Sequence, residues 1–316
     1  MIKIPLAATG LALALGAAAE PQQSDVTPPG GFVATCAAET SGTNYLAYGG
    51  HLAANWSHPA YNGKYACDAQ MFSGAAGSAQ AIASHSAPKI ASSSAGHGSM
   101  GLLQLEATNA SPANTYFAQG AANGGWSDTT TVTVDGLAGS AVWLINVGVT
   151  GSASVVGGSA AFAATAYKNE TELNRAVAGF DKGDSDSFTT DRQKVRWRVS
   201  AANNTEVLSR TVDDVVTFAV PVTLGTSFVW GVYGSAFAGQ RAATTGDGRI
   251  ETAQLDPFTM RFLGTAGVLA GGQLYSNVQL SSPSGIDWLV ATPVPEPATW
   301  AMMLTGIAWL VRRRLT

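Results

Sequence analysis

The feature that most constrains the fold is a period of two. In Arg192–Ala201 (RQKVRWRVSA), Val195, Trp197 and Val199 fall on one side of an extended chain, and Arg196, Arg198 and Ser200 on the other. Successive side chains of a strand point to opposite faces, so this alternation predicts a half-buried β-strand. The same reading covers Thr129–Val134, Val142–Val149, Val212–Val220, Ser227–Tyr233 and Phe258–Leu263, all rich in β-branched and aromatic residues. Asn123-Gly124-Gly125, Asp135-Gly136 and Asp247-Gly248 supply turn signals between or beside them. No long stretch repeats apolar residues at the i, i+3, i+4, i+7 spacing, which argues against a βαβ enzyme fold. The expectation is an all-β chain, an antiparallel β-sandwich or jelly roll.

Composition excludes two broad classes. With 46% hydrophobic residues and a net charge of −4, the chain is neither a disordered tail nor a basic nucleic-acid binder. Its 316 residues fit one large all-β domain or two smaller ones.

The ends carry their own signals. Lys3 precedes an apolar run from Ile4 to Gly16, and Ala17-Ala18-Ala19 follows. This is the composition of a secretory signal peptide, with Ala17 and Ala19 at the two small-residue positions of the cleavage site and the cut after Ala19. At the other end, Ala298–Val311 is apolar and Arg312, Arg313 and Arg314 follow it, the order of a stop-transfer anchor. At ~1.5 Å per helical residue the apolar segment reaches about 21 Å, short of the ~30 Å hydrocarbon core, so membrane association is expected to be transient.

Val294, Pro295, Glu296, Pro297, Ala298, Thr299 and Trp300, then the short apolar segment, then the arginines, together resemble the PEP-CTERM sorting signal of exported bacterial proteins. The resemblance implies that an exosortase, an integral-membrane enzyme, recognises residues 291–316 and processes them near the Pro-Glu-Pro. Those residues would be substrate, with the catalytic cysteine on the enzyme. It implies transient anchoring in the inner membrane, then a place on the cell surface or outside, and a link to extracellular polysaccharide or biofilm. Pro295 and Pro297 fix φ and keep the residues before them extended, which suits a segment presented to an enzyme. Export also engages signal peptidase and the general export machinery. Loss of Lys3 and the three arginines from the 17 basic residues leaves 13 against 21 acidic, so residues 20–311 carry −8. That charge disfavours nucleic acid or other acidic polymers as partners.

The exported body, residues 20–290, also resembles the β-rich ectodomains found ahead of this signal. The likeness lies in Trp126-Ser127-Asp128-Thr129, Pro221–Phe228 and Ser284-Gly285-Ile286-Asp287-Trp288. It speaks to fold rather than to activity.

Cys36 and Cys67 are the only cysteines. An even number in a chain bound for an oxidising compartment points to one disulfide, within an N-terminal part spanning 24–80; the alternatives are two free thiols or metal ligation with His51 or His58. Asp181, Asp184 and Asp186 can offer oxygen ligands to calcium, but their spacing departs from the EF-hand loop and lacks its closing Glu, so a solvated acidic turn is the reading. Gly96-His97-Gly98-Ser99-Met100-Gly101 matches G-x-G-x-x-G formally, yet follows a serine-rich stretch read as a loop and is itself read as a glycine-rich turn. His51, His58, His85 and His97 lack metalloprotease spacing and read as surface or loop residues. Tyr45, Tyr48, Trp56, Tyr61 and Tyr65, clustered between the cysteines, read as a small core beside the disulfide or as a stacking surface for sugars. No nucleophile or metal motif stands out, so the expectation is a protein without catalytic residues or cofactor, with a carbohydrate-binding or adhesive module as the alternative and a secreted hydrolase behind it.

Overall fold

The computed structural model describes residues 28–40, 65–87, 90–112, 117–168, 192–201, 207–240 and 250–292. Among them are fourteen strands and no helix: β1 (Gly30–Thr40), β2 (Tyr65–Ser73), β3 (Ser78–Ala87), β4 (Ile90–Ser99), β5 (Leu102–Pro112), β6 (Phe117–Val134), β7 (Gly139–Val156), β8 (Gly158–Lys168), β9 (Arg192–Ser200), β10 (Val207–Leu224), β11 (Ser227–Gln240), β12 (Ile250–Ala270), β13 (Gln273–Tyr275) and β14 (Val278–Ser281). They build two antiparallel seven-stranded sheets packed as a β-sandwich. Sheet A runs β2-β1-β6-β11-β8-β9 with β14 on β6; sheet B runs β10-β7-β12-β5-β4-β3 with β13 on β12.

Period two is realised where one face meets the core. In β9, Trp197 and Val199 are buried while Arg198 is exposed. In β7, Trp143, Ile145, Val147 and Val149 are buried, and the residues between them are half-buried on the outer face of sheet B. The centre of sheet A differs, because β8 (GSAAFAATAYK) is buried on both faces. Its inner side chains Ala160, Phe162, Ala164 and Ala166 join the main core. On the outer face Phe32, Ala34, Tyr167 and Tyr233 form a second cluster. A strand buried on both faces needs no alternation.

Two expectations are corrected. Asn123-Gly124-Gly125 is not a turn but the interior of β6. A Cβ on Gly124 would lie 2.9 Å from the Phe32 carbonyl oxygen, and one on Gly125 would lie 2.6 Å from that of Val232, so the glycines permit close strand approach. The serine-rich stretch and Gly96–Ser99 are not loop either; they form β4, in which Gly96 and Gly98 leave room for Val33 of the facing sheet. Only Met100-Gly101 turns the chain, with Gly101 at φ 76°. Asp135-Gly136 does form the turn between β6 and β7.

The lateral edges of the sandwich are tied across the sheets. Trp197 Nε1 of β9 donates to Asp214 Oδ2 of β10 at 2.8 Å, and the Ile82 amide of β3 donates to Asp68 Oδ2 of β2 at 3.1 Å. Such ties help to mask strand edges that would otherwise be open to pairing. Between the sheets, Trp230 packs edge-on against Trp143 at 4.7 Å and Trp288 at 5.0 Å, and Phe262 against Trp288 at 4.9 Å.

Candidate functional site

The densest polar constellation lies inside this aromatic core. Asp128 sits on the inner face of β6 between Trp126 and Thr130, fully buried. Its Oδ2 accepts hydrogen bonds from Trp288 Nε1 (2.7 Å), Ser282 Oγ (2.6 Å) and Ser284 Oγ (2.6 Å), and its Oδ1 from the Thr129 amide (2.7 Å). A carboxyl group in an apolar interior is tolerable only when saturated with donors, and four are supplied.

Three of the four donors come from a strap, residues 282–292, whose shape is local chemistry. Ser282 Oγ accepts from the Ser284 amide and Ser284 Oγ from the Ile286 amide, serine turns that coil the chain around Gly285 at φ 73°. Trp288 then enters the core, and the chain turns onto β12, along the edge that β5 vacates beyond Leu102. There Val290 bridges Gly264, and the Thr292 amide donates to the Phe262 carbonyl at 3.2 Å. Arg261 holds the Thr292 carbonyl oxygen through Nε (3.0 Å) and Nη2 (2.6 Å). The Thr292 hydroxyl lies 3.2 Å from the carbonyl oxygens of both Gly101 and Phe262, and its methyl occupies the space a Cβ on Gly101 would need. The buried carboxyl has no access to a substrate; chemically the arrangement is a fastening.

A second feature lies on the outer face of sheet B, an open groove of about 180 Å³ lined by Gln80, Ala95, His97, Gln104, Glu106 and Pro257. Gln80, His97 and Gln104 are register partners across β3, β4 and β5. Pro257 stands at the groove's rim where the pairing of β12 with β5 shifts register between Leu255 and Phe258. The neighbouring row is Ile82, Ala95 and Glu106, with Ile82 exposed, and beyond it stand Ser84, Ser93 and Thr108, the last two 2.7 Å apart through their hydroxyls. Amides, an imidazole, a carboxyl and hydroxyls make a hydrogen-bonding floor without an aromatic platform.

The sequence-predicted residues divide sharply. Cys36 and Cys67 are register partners in β1 and β2 and form the disulfide, with Cα atoms 4.2 Å apart. Ala17, Ala19, the motif Val294–Trp300, Arg312, Arg313 and Arg314 lie outside the described residues, as do Asp181, Asp184, Asp186, His51, His58, Tyr45, Tyr48, Trp56, Tyr61 and the side chain of Tyr65. His97 lines the groove; His85 is half-buried in β3. Among the described residues no group of three or more His, Cys, Asp or Glu side chains is placed to hold a metal. Sequence reasoning singled out Trp126-Ser127-Asp128-Thr129 and Ser284–Trp288 without linking them; two separate motifs that each pair a polar residue with a tryptophan were the available signal. Comparison of the chain with known protein families, curated proteins and solved structures finds no match.

Proposed function

We propose that this is a non-enzymatic exported surface or extracellular-matrix protein whose C-terminal tail is processed by an exosortase after signal peptidase has removed residues 1–19. The observation that carries the reading is the order of residues 294–314, a Pro-Glu-Pro, an apolar segment and three arginines, close behind a strap fastened into the sandwich. Among the described residues Trp288 is the last large buried side chain, and Thr292, three positions before Pro295, is fastened by Arg261. A cut near the Pro-Glu-Pro leaves the fastened strap with the body, and the tail can act as a removable address. The acidic, lightly charged body suits a soluble product held outside the cell. Fractionation of cells with and without a functional exosortase tests this: the protein is expected outside the cell only when the enzyme is present and in the membrane fraction when it is absent. The same distribution in both strains would refute processing.

A second reading, a carbohydrate-binding module, is favoured by the groove on sheet B, whose hydrogen-bonding side chains Gln80, His97, Gln104 and Glu106 match sugar hydroxyls. Affinity electrophoresis of the exported protein through gels containing dextran or another neutral polysaccharide tests it. Retardation abolished by the double variant Gln80→Ala/Gln104→Ala supports the groove; unretarded migration on every neutral polymer removes it.

A further inference from the structure

The outer face of sheet B is polar around the groove and apolar at its other end. There Val142 and Leu144 of β7, Leu263 and Leu269 of β12, Leu274 of β13 and Val290 of the strap share one surface. Leu269 and Leu274 are direct partners across the β12–β13 hairpin, and Val142 is the partner of Leu269 on the other side. Leu263 lies over Gly148. Leu274 and Val290 are more than half exposed, at 56% and 57%. The outward positions of β7 and β12 in this half are Val142, Leu144, Asn146, Leu263 and Leu269, bordered by Arg261, whose guanidinium is engaged by the Thr292 carbonyl oxygen, whereas Glu106 and Asp256 lie toward the groove. An exposed apolar surface with a polar surround marks a site of contact.

The chain's own length says with what. Thr292 is fixed beside Val290, and six peptide steps separate it from Ala298, the first residue of the apolar tail segment. At ~3.5 Å per extended residue, Ala298 cannot be farther than about 20 Å from Thr292. We infer that, while the tail is anchored, the apolar half of sheet B's outer face rests on the lipid surface, and the groove half points away from it. The inference rests on the tail being membrane-inserted, as proposed above. Leucines and valines at an interface gain by burial among acyl chains, and the bordering Arg261 can keep its charge at headgroup level. The geometry thus orients the domain: strap and β12–β13 hairpin toward the membrane, groove toward the exterior.

The test uses the chain with its tail, reconstituted in vesicles of phosphatidylethanolamine and phosphatidylglycerol. A fluorescent label is placed in turn at L274C, V290C and, on the groove half, S84C; Cys36 and Cys67 are disulfide-bonded and do not react. Lipid-borne nitroxide at headgroup depth is expected to quench the labels at 274 and 290 several-fold more than the label at 84. Equal quenching at all three positions, or stronger quenching at 84, would overturn the orientation while leaving tail insertion intact. A chain that fails to float with the vesicles would overturn tail insertion itself, and the orientation with it.

Discussion

The indole of Trp288 donates to Asp128 across 2.7 Å, a bond between residues 160 positions apart that joins the C-terminal strap to the centre of sheet A. Because Asp128 also accepts from Ser282 and Ser284, one buried carboxyl group organises the last segment of the domain.

Asp128→Ala is therefore expected to strand an indole N–H in the core and to take the acceptor from two half-buried hydroxyls. At about 1 to 3 kcal/mol for each buried unsatisfied group, part of it relieved by local rearrangement, the loss should be about 3 to 5 kcal/mol in urea unfolding. Asp128→Asn keeps one acceptor oxygen and should lose less. Equal stability of Asp128→Ala and the parent would show that the hub is not structural.

Replacing Trp288 separates packing from hydrogen bonding. Trp288→Phe keeps a ring against Trp230 and Phe262 but removes the donor to Asp128, for an expected loss of about 1 to 3 kcal/mol. Trp288→Ala also empties the space between the sheets and should cost about 3 to 5 kcal/mol. Chemical denaturation of the two variants side by side checks the order.

The disulfide closes a loop with a sequence separation of 31 between β1 and β2, and in the chain-entropy picture stabilises by about 3.5 kcal/mol. Cys36→Ser/Cys67→Ser is expected to lower the unfolding midpoint accordingly. Cys67 is exposed whereas Cys36 is only 2% exposed, so after reduction thiol reagents should label Cys67 in the folded protein and Cys36 only once denaturant is added.

Much of the fold was legible where one face is wet. β7, β9, β10 and β12 alternate because their outer residues meet solvent, and four of the six strand cores read from the sequence fall in them, the other two, Thr129–Val134 and Ser227–Tyr233, in β6 and β11. β1, β8 and the first half of β6 were not legible, because burial on both faces erases the period and small residues stand where sheets and side chains crowd. Gly124 reads as a turn residue, yet its hydrogen makes room for Leu103 and for β1. Asp128 and Ser284 were visible as members of two motifs, but only the pairing of β14 with β6 brings them within 2.6 Å. The groove was beyond reach for the same reason: Gln80, His97 and Gln104 become a row only through strand register.

Tyr167 gives a pH-dependent prediction. Its hydroxyl is buried and donates to the Trp126 carbonyl at 3.2 Å. Burial pushes its pKa far above the ordinary tyrosine value of about 10, the bond with Ser127 offsetting this only slightly. A folded-state value raised above the unfolded one favours the neutral form. The resulting stability is complete below about pH 10 and is lost as pH climbs above it. Alkaline titration followed by tyrosinate absorbance should show one tyrosine that ionises only with unfolding, and Tyr167→Phe should remove that step. A smooth titration of every tyrosine in the folded protein would contradict it.

The central proposal is that the tail behind the strap is removed from the folded body. Intact mass of the protein recovered from outside the cell tests it most directly. A species beginning near Glu20 and ending near Pro295, without the three arginines, is the result predicted. An external species that still carries Arg312, Arg313 and Arg314 would contradict it.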